Sequence, residues 1–230
     1  MAFNPENIIY EDNHLLAYNK QVGDIVQGDK TGDMPLPEYI KAYIKERDNK
    51  PGNVFLGVTH RIDRPTTGVV IFAKTSKGLE RMNELFRDGG VDKTYWAIVK
   101  NAPQKEEDLL VHHLSRNEKQ NKSYAYDAPK ASTKEAKLRY RIISKSDNYS
   151  LVEVELLTGR HHQIRAQLSK IGSPIKGDLK YGFPRSNPDG GICLHARKVE
   201  FIHPVQKEKV TIVAPVPNDP LWQYFVKAVE

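Results

Sequence analysis

The chain carries one cysteine, Cys193, in 230 residues. A lone thiol excludes an intrachain disulfide and a cysteine-rich zinc site, and a reducing, cytoplasmic compartment fits it best. Long apolar runs are missing as well: none approaches the roughly eighteen residues of a membrane span. The first residues, "MAFNPENIIYEDNH", lack the basic-then-apolar order of a signal peptide. There is no G-x-S-x-G elbow, no G-x-x-x-x-G-K-[ST] loop and no G-x-G-x-x-G fingerprint, which removes the usual support for serine-hydrolase, ATP and dinucleotide readings. No repeat of fixed period and no low-complexity tract stands out.

What is present is ordinary for a globular protein: 39% hydrophobic and 28% charged residues, enough to build a core. One domain is expected over residues 1–230. Lys and Arg outnumber Asp and Glu by 35 to 29, a net +6 with a pI near 9.2. That surplus is compatible with a polyanionic partner such as nucleic acid and does not require one.

The pattern of apolar residues outlines the elements. "NIIYEDNHLLAYNK" reads as two short strands around a polar turn at Glu11–His14. "PLPEYIKAYIKER" puts Leu36, Ile40, Tyr43 and Ile44 at helical spacing. "GVVIFAKT" is a β-branched apolar run, read as a buried strand. In the segment after it, Leu79, Met82 and Phe86 form one helical face that stops at Gly89. "KTYWAIVK" is strand-like. Residues 101–135 are polar and read as an excursion of long loops or a hairpin rather than a domain boundary, either solvated or in contact with a nucleic-acid backbone. "KLRYRII" and "LVEVELL" alternate as half-buried strands do. "GRHHQIRAQLSKIGSP" reads as a helix ended by Gly172 and Pro174, and "KVEFIHPVQKEKVTIVAP" as strand, turn, strand. "DPLWQYFVKAVE" is a last helix capped by Asp219, with Leu221, Phe225 and Val229 inward. Strands in hairpins dominate, which indicates an α+β fold with a mostly antiparallel or mixed sheet.

Three charged groups sit beside apolar segments: His60, Arg61, Asp63 and Arg64; Lys93 with Tyr95; and Arg160, His161, His162, Gln163 and Arg165. The two His-His pairs and His195 invite a metal reading. Adjacent histidines on a helix diverge by about 100°, however, and the neighbouring arginines repel a cation, so no metal is assigned. Asp63 between arginines keeps its charge, since nearby cations lower a carboxyl pKa. Two readings of it stand on the residues alone: an ion pair that pins a loop, and a carboxylate nucleophile.

"HRIDRPTTGVVIFAKT" resembles the catalytic-aspartate motif of the RluA-type RNA pseudouridine synthases. "KTYWAIVK" is similar to that family's tyrosine strand. "LLTGRHHQIRAQLSKIGSPIKGDLKYG" resembles its arginine helix and Gly-Asp-x-x-Tyr-Gly turn, and "CLHARKVEFIHP" its last motif. The four motifs stand in the family's order between about Ile8 and Pro215. Ile62 replaces a usual Leu, Thr67 a frequent Ser, and His161 a common Thr. Only seven residues precede Ile8, so the small appended RNA-binding domain of many relatives is not expected.

The resemblance implies a pseudouridine-synthase fold: a long, bent, mostly antiparallel sheet flanked by helices, with a central catalytic cleft. It also implies a cofactor-free isomerisation of uridine to pseudouridine in structured RNA, either rRNA or tRNA. Asp63 is then the catalytic carboxylate, attacking sugar or ring or abstracting a sugar proton. Arg165 pairs with it, and Tyr95 stacks on the uracil. Arg61 fills the gap left by the flipped base. Leu194 walls the base pocket, and Arg64, Lys93 and Arg160 contact phosphates. His60, His162 and Gln163 complete the substrate-binding set. A cytoplasmic monomer is expected. Two alternatives remain: a catalytically inactive RNA-binding module of the same fold, and a carboxylate glycosidase. The latter would want two paired acids where one is well placed.

Overall fold

The computed structural model describes residues 3–28 and 32–229; Glu230, the end of the expected last helix, lies outside them. The elements, in chain order, are β1 (Ile8–Glu11), β2 (Leu15–Lys20), α1 (Leu36–Arg47), β3 (Gly57–Val58), β4 (Thr67–Ala73), α2 (Ser76–Arg87) and β5 (Val91–Val99). There follow β6 (Glu107–Asn117), β7 (Lys122–Tyr126), β8 (Lys134–Lys145), β9 (Ser150–Leu156), α3 (Gln163–Lys170), β10 (Leu194–Ile202), β11 (Lys209–Val213) and α4 (Pro220–Val229). This is an α+β chain. It forms two compact units, one of residues 1–91 and 196–215, the other of 92–195 and 216–230. Among the described residues no helix is long and apolar enough to cross a membrane.

In the first unit the strands lie in the order β1-β2-β4-β10, with β3 also paired to β4 and β11 to β10. Every residue of β4 is buried, and period-two alternation explains how. Val69, Ile71 and Ala73 join Leu15, Ala17 and Met82 in one apolar cluster. Val70 and Phe72 join Leu16, Tyr18, Ile40 and Ile44 in another. The apolar run therefore marks a strand covered on both faces, by α2 on one side and α1 on the other. Full burial of each such side chain is worth about 1.5–3 kcal/mol. At the head of β4, Gly68 has φ +112, and a Cβ there would lie 2.3 Å from the Ala196 carbonyl oxygen. The strand enters between its neighbours only because that carbon is missing.

The second unit orders its strands β5-β9-β8-β6-β7, with antiparallel pairing throughout. α3 packs on β6 and β7, and α4 on β8. Of the two readings of residues 101–135, long loops and a hairpin, the structure shows the hairpin. Most of that segment is an extended β-ribbon, β6 and β7, joined by a short turn, rather than long loops. Leu110, His112 and Leu114 are buried while Leu109 and Val111 are exposed, an alternation hidden because apolar residues stand on both faces. α4 is capped as expected, with Asp219 Oδ1 accepting the Leu221 N–H at 2.9 Å. Its buried residues are Trp222 and Phe225, whereas Leu221 and Val229 are half-buried.

Candidate active site

In the first unit the aspartate loop is fastened at both ends. Upstream, Thr59 Oγ1 donates to the Ile71 carbonyl at 2.6 Å. His60 Nε2 accepts the Ile71 N–H at 3.0 Å, and its ring lies 4.6 Å from that of Phe86. His60, expected at the substrate, therefore ties the loop to β4. Downstream, Lys20 is fully buried, and its ammonium donates to the carbonyls of Gln21, Arg64 and Thr66 at 2.8, 3.0 and 2.8 Å. Gly23 N–H adds a second donor to the Arg64 carbonyl. Burial pushes the Lys20 ammonium down to about 7, against the opposing pull of Asp24 and Asp63.

Between these anchors stands Asp63, half-buried, its carbonyl accepting the Thr66 N–H at 2.9 Å in a tight turn. The two flanking arginines are exposed. Arg61 Nη1 donates to Gln27 Oε1 at 3.2 Å, and Arg64 Nη2 pairs with Asp33 at 2.6 Å.

The second unit carries the other expected residues. Tyr95 lies on β5 opposite Val154 and is nearly buried. Lys93, two residues earlier, is half-buried, and burial lowers its pKa. Leu194 opens β10 and is buried; the ring of the next residue, His195, meets Trp222 edge-on.

The start of α3 departs from the sequence reading. Arg160, His161 and His162 do not form its first turn: the helix begins at Gln163, because His162 takes left-handed backbone, φ 53 and ψ 27. His161 and Arg165 are thus not helical i, i+4 neighbours. Gln163 stabilises the tight turn. Its Oε1 accepts from Arg160 N–H at 2.9 Å and Thr158 Oγ1 at 2.8 Å, while its Nε2 donates to the Lys137 carbonyl at 3.0 Å. Arg160 turns aside, Nε donating to the Glu135 carbonyl at 2.9 Å. The two histidine rings do not diverge either. They stack at 3.8 Å, which corrects the premise used against a metal. Among the described residues no group of three or more His, Cys, Asp and Glu side chains could hold a metal ion.

Three residues that the sequence reading gave no role complete this half. Tyr181 Oη accepts the Ser123 N–H at 2.8 Å and lies 3.0 Å from His162 Nδ1. Ser123 Oγ donates to the His161 carbonyl at 2.7 Å. Asp178 grips Arg165 through two hydrogen bonds, Nε to Oδ2 at 2.7 Å and Nη2 to Oδ1 at 2.9 Å, with the arginine 5% and the aspartate 1% exposed. Asp178 and Tyr181 belong to the Gly-Asp-x-x-Tyr-Gly turn, so the motif was visible although their tasks were not. Lys20 left no signal: its acceptors are backbone carbonyls.

Residues 14–170 match the model of a family described as RNA pseudouridylate synthase. An uncharacterized RNA pseudouridine synthase of Synechocystis sp. is 30% identical over 216 residues, covering 93% of this chain and 66% of the relative. Ribosomal large subunit pseudouridine synthase C of Vibrio cholerae is 34% identical, covering 91% and 65%. The chain thus spans about two thirds of the length of these curated relatives. A solved structure, human RNA pseudouridylate synthase domain containing 4, has the same fold. It aligns with a TM-score of 0.79 at 23% identity, covering 98% of this chain and 94% of that one.

Proposed function

The chain belongs to the RNA pseudouridylate synthase family, and from that premise we propose that it isomerises uridine to pseudouridine within RNA, using Asp63 as the catalytic carboxylate. The observation that carries the assignment is the anchoring of the Asp63 loop. A fully buried lysine gives its ammonium to the carbonyls around Asp63, and a histidine fastens the other end. A loop that merely displayed charges to water would need neither, and burying an ammonium is unfavourable by several kcal/mol, on the order of its pKa displacement.

The reaction balances without oxidant or reductant. The bond from ribose C1′ to uracil N1 breaks, C1′ bonds to C5, the C5 proton leaves, and N1 gains one. Asp63 supports C1′ or the ring while neither glycosidic bond is whole. Arg165 supplies the cation of the proposed set, Tyr95 stacks on the detached base, and Leu194 supplies an apolar wall. Arg61 takes the place of the extruded uridine, at an unstacking cost of a few kcal/mol. Arg64, Lys93 and Arg160 meet phosphates, and His60, His162 and Gln163 act by holding the loop and the turn. Large-subunit rRNA is the first substrate pool to test, since the Vibrio cholerae relative is named for it, and tRNA is the second. The +6 charge supports a polyanionic substrate. A cytoplasmic location belongs to the same proposal, supported by a single cysteine that leaves no intrachain disulfide, and so does a monomer, by the family resemblance alone.

The test is tritium release from RNA labelled at uridine C5, comparing the wild type with Asp63→Asn, on unmodified rRNA and tRNA separately. Release by the wild type alone is expected. Equal release by the variant would remove Asp63 from the mechanism. Binding of RNA by both without release from any pool would favour an inactive RNA-binding module.

A further inference from the structure

Arg165 is the one proposed catalytic residue whose side chain is gripped by a second acid inside its own unit. Asp178 takes the Nε–Nη2 edge of the guanidinium through two hydrogen bonds. A guanidinium is planar, with five N–H donors in a fixed fork. Once that edge is engaged, a second carboxylate can be met in the same plane through the Nη1–Nη2 edge. The Tyr181 ring packs beside the guanidinium, its centroid 5.0 Å from Cζ.

The acid is itself held rigidly. Asp178 N–H donates to the Ile175 carbonyl at 3.0 Å, and its own carbonyl accepts from Tyr181 and Phe183 at 3.1 and 3.0 Å. The preceding Gly177 has φ +87, and a Cβ there would lie 2.7 Å from the Asn187 amide nitrogen and 2.8 Å from the Gly191 carbonyl oxygen. Stability does not explain this construction, because a buried ion pair is often no better than well-packed apolar side chains.

We propose that Asp178 is a positioning residue: it fixes the rotation of the Arg165 guanidinium and, through it, the direction of the hydrogen bonds that Arg165 makes in catalysis. The inference rests on the proposed role of Arg165 and adds the residue through which that role is exerted.

The experiment is single-turnover label release, with enzyme in excess, on the RNA from which the wild type releases tritium. The variants are Asp178→Asn, Arg165→Lys and the double variant, each also measured for RNA affinity and melting temperature. Asp178→Asn is expected to slow release by about 100-fold, the scale of a misplacement near 1 Å. Its RNA affinity should stay within about 3-fold, the pattern of a lost transition-state interaction. In the Arg165→Lys background the same change should slow release little further, since both substitutions remove one interaction. A folded Asp178→Asn that releases label at the wild-type rate, or that imposes the same factor in both backgrounds, overturns the inference while leaving Arg165 in place. Wild-type release by Arg165→Lys alone overturns the role of Arg165 and, with it, that of Asp178. Should Asp178→Asn not fold, Asp178→Glu is read by the same criteria, its added methylene displacing the guanidinium while the charge is kept.

Discussion

Lys20→Met tests whether a buried ammonium holds the Asp63 loop. Methionine preserves most of the volume and removes the charge. Three carbonyls, of Gln21, Arg64 and Thr66, then lose a charged donor, at about 1–3 kcal/mol for each one left without a partner. Against that stands the relief of burying the charge. A pKa lowered from 10.5 to about 7 corresponds to roughly 5 kcal/mol at about 1.4 kcal/mol per unit. The two terms nearly cancel at low pH, so the slope with pH is the discriminating quantity.

The sign follows from proton binding. Below about pH 7 Lys20 is protonated in both the folded and the unfolded chain, and stability carries the full penalty. Between about 7 and 10.5 only the unfolded chain keeps the proton, so wild-type stability rises with pH by about 1.4 kcal/mol per unit relative to Lys20→Met. Lys93, also lowered by burial, is common to both proteins and drops out of the difference. Urea unfolding followed by fluorescence of the two buried tryptophans, Trp96 and Trp222, gives that difference at pH 6, 7, 8 and 9. A flat difference below pH 7 followed by a gain of about 3 kcal/mol by pH 9 is expected. A difference that stays flat to pH 9 refutes the buried, proton-losing lysine.

Two further outcomes follow from the packing. Gly68→Ala places a Cβ 2.3 Å from the Ala196 carbonyl oxygen at φ +112; backbone cannot yield as a flexible side chain does, so urea unfolding should register a loss of at least about 3 kcal/mol, and a loss below about 1 would contradict the close approach. Burial pushes the Cys193 thiol up to about 11, so an aromatic disulfide reagent at pH 8 should modify the native protein at least about 100-fold more slowly than the urea-unfolded chain; equal rates would place Cys193 at the surface.

The parts of this structure that the sequence disclosed are those in which side chains pack against side chains. β4 and its two coverings, α1 and α2, follow from an apolar run and two helical periodicities, and Gly68 lies at the bend before that run. Where a side chain answers to backbone, the pattern is silent. Lys20 reads as the polar end of "LLAYNK", because nothing in the letters says that three carbonyls converge on its ammonium. The early end of α3 is of the same kind: "GRHHQIRAQL" has good helical spacing, but His162 takes left-handed backbone and the Gln163 side chain, bonded to Arg160 N–H and the Lys137 carbonyl, holds the turn before it. In residues 101–135 the β-ribbon was obscured for a different reason. Leu109 and Val111 are exposed opposite buried Leu110 and Leu114, so apolar residues fall on both faces and the alternation disappears.

Lys20 and Arg165 are a fully buried and a nearly buried cation, one in each unit, and they are secured in opposite ways. Lys20 meets carbonyl dipoles, which hold a backbone loop without adding an opposite charge of their own. Its charge is therefore not offset by the groups it bonds, and its main contribution is to hold the loop in place. Arg165 meets a full carboxylate, Asp178, which offsets much of its charge and leaves direction as its main contribution. The division has a kinetic consequence. Weakening the lysine anchor disturbs where the Asp63 backbone sits, so the rate deficit of Lys20→Met should be largest below about pH 7, where the wild-type ammonium is charged, and should shrink above it. Weakening the aspartate anchor disturbs the direction of hydrogen bonds and should lower the single-turnover rate at every pH. Profiles of Lys20→Met and Asp178→Asn measured on one RNA separate these effects, and identical profiles would mean that the two anchors act on one property of the site.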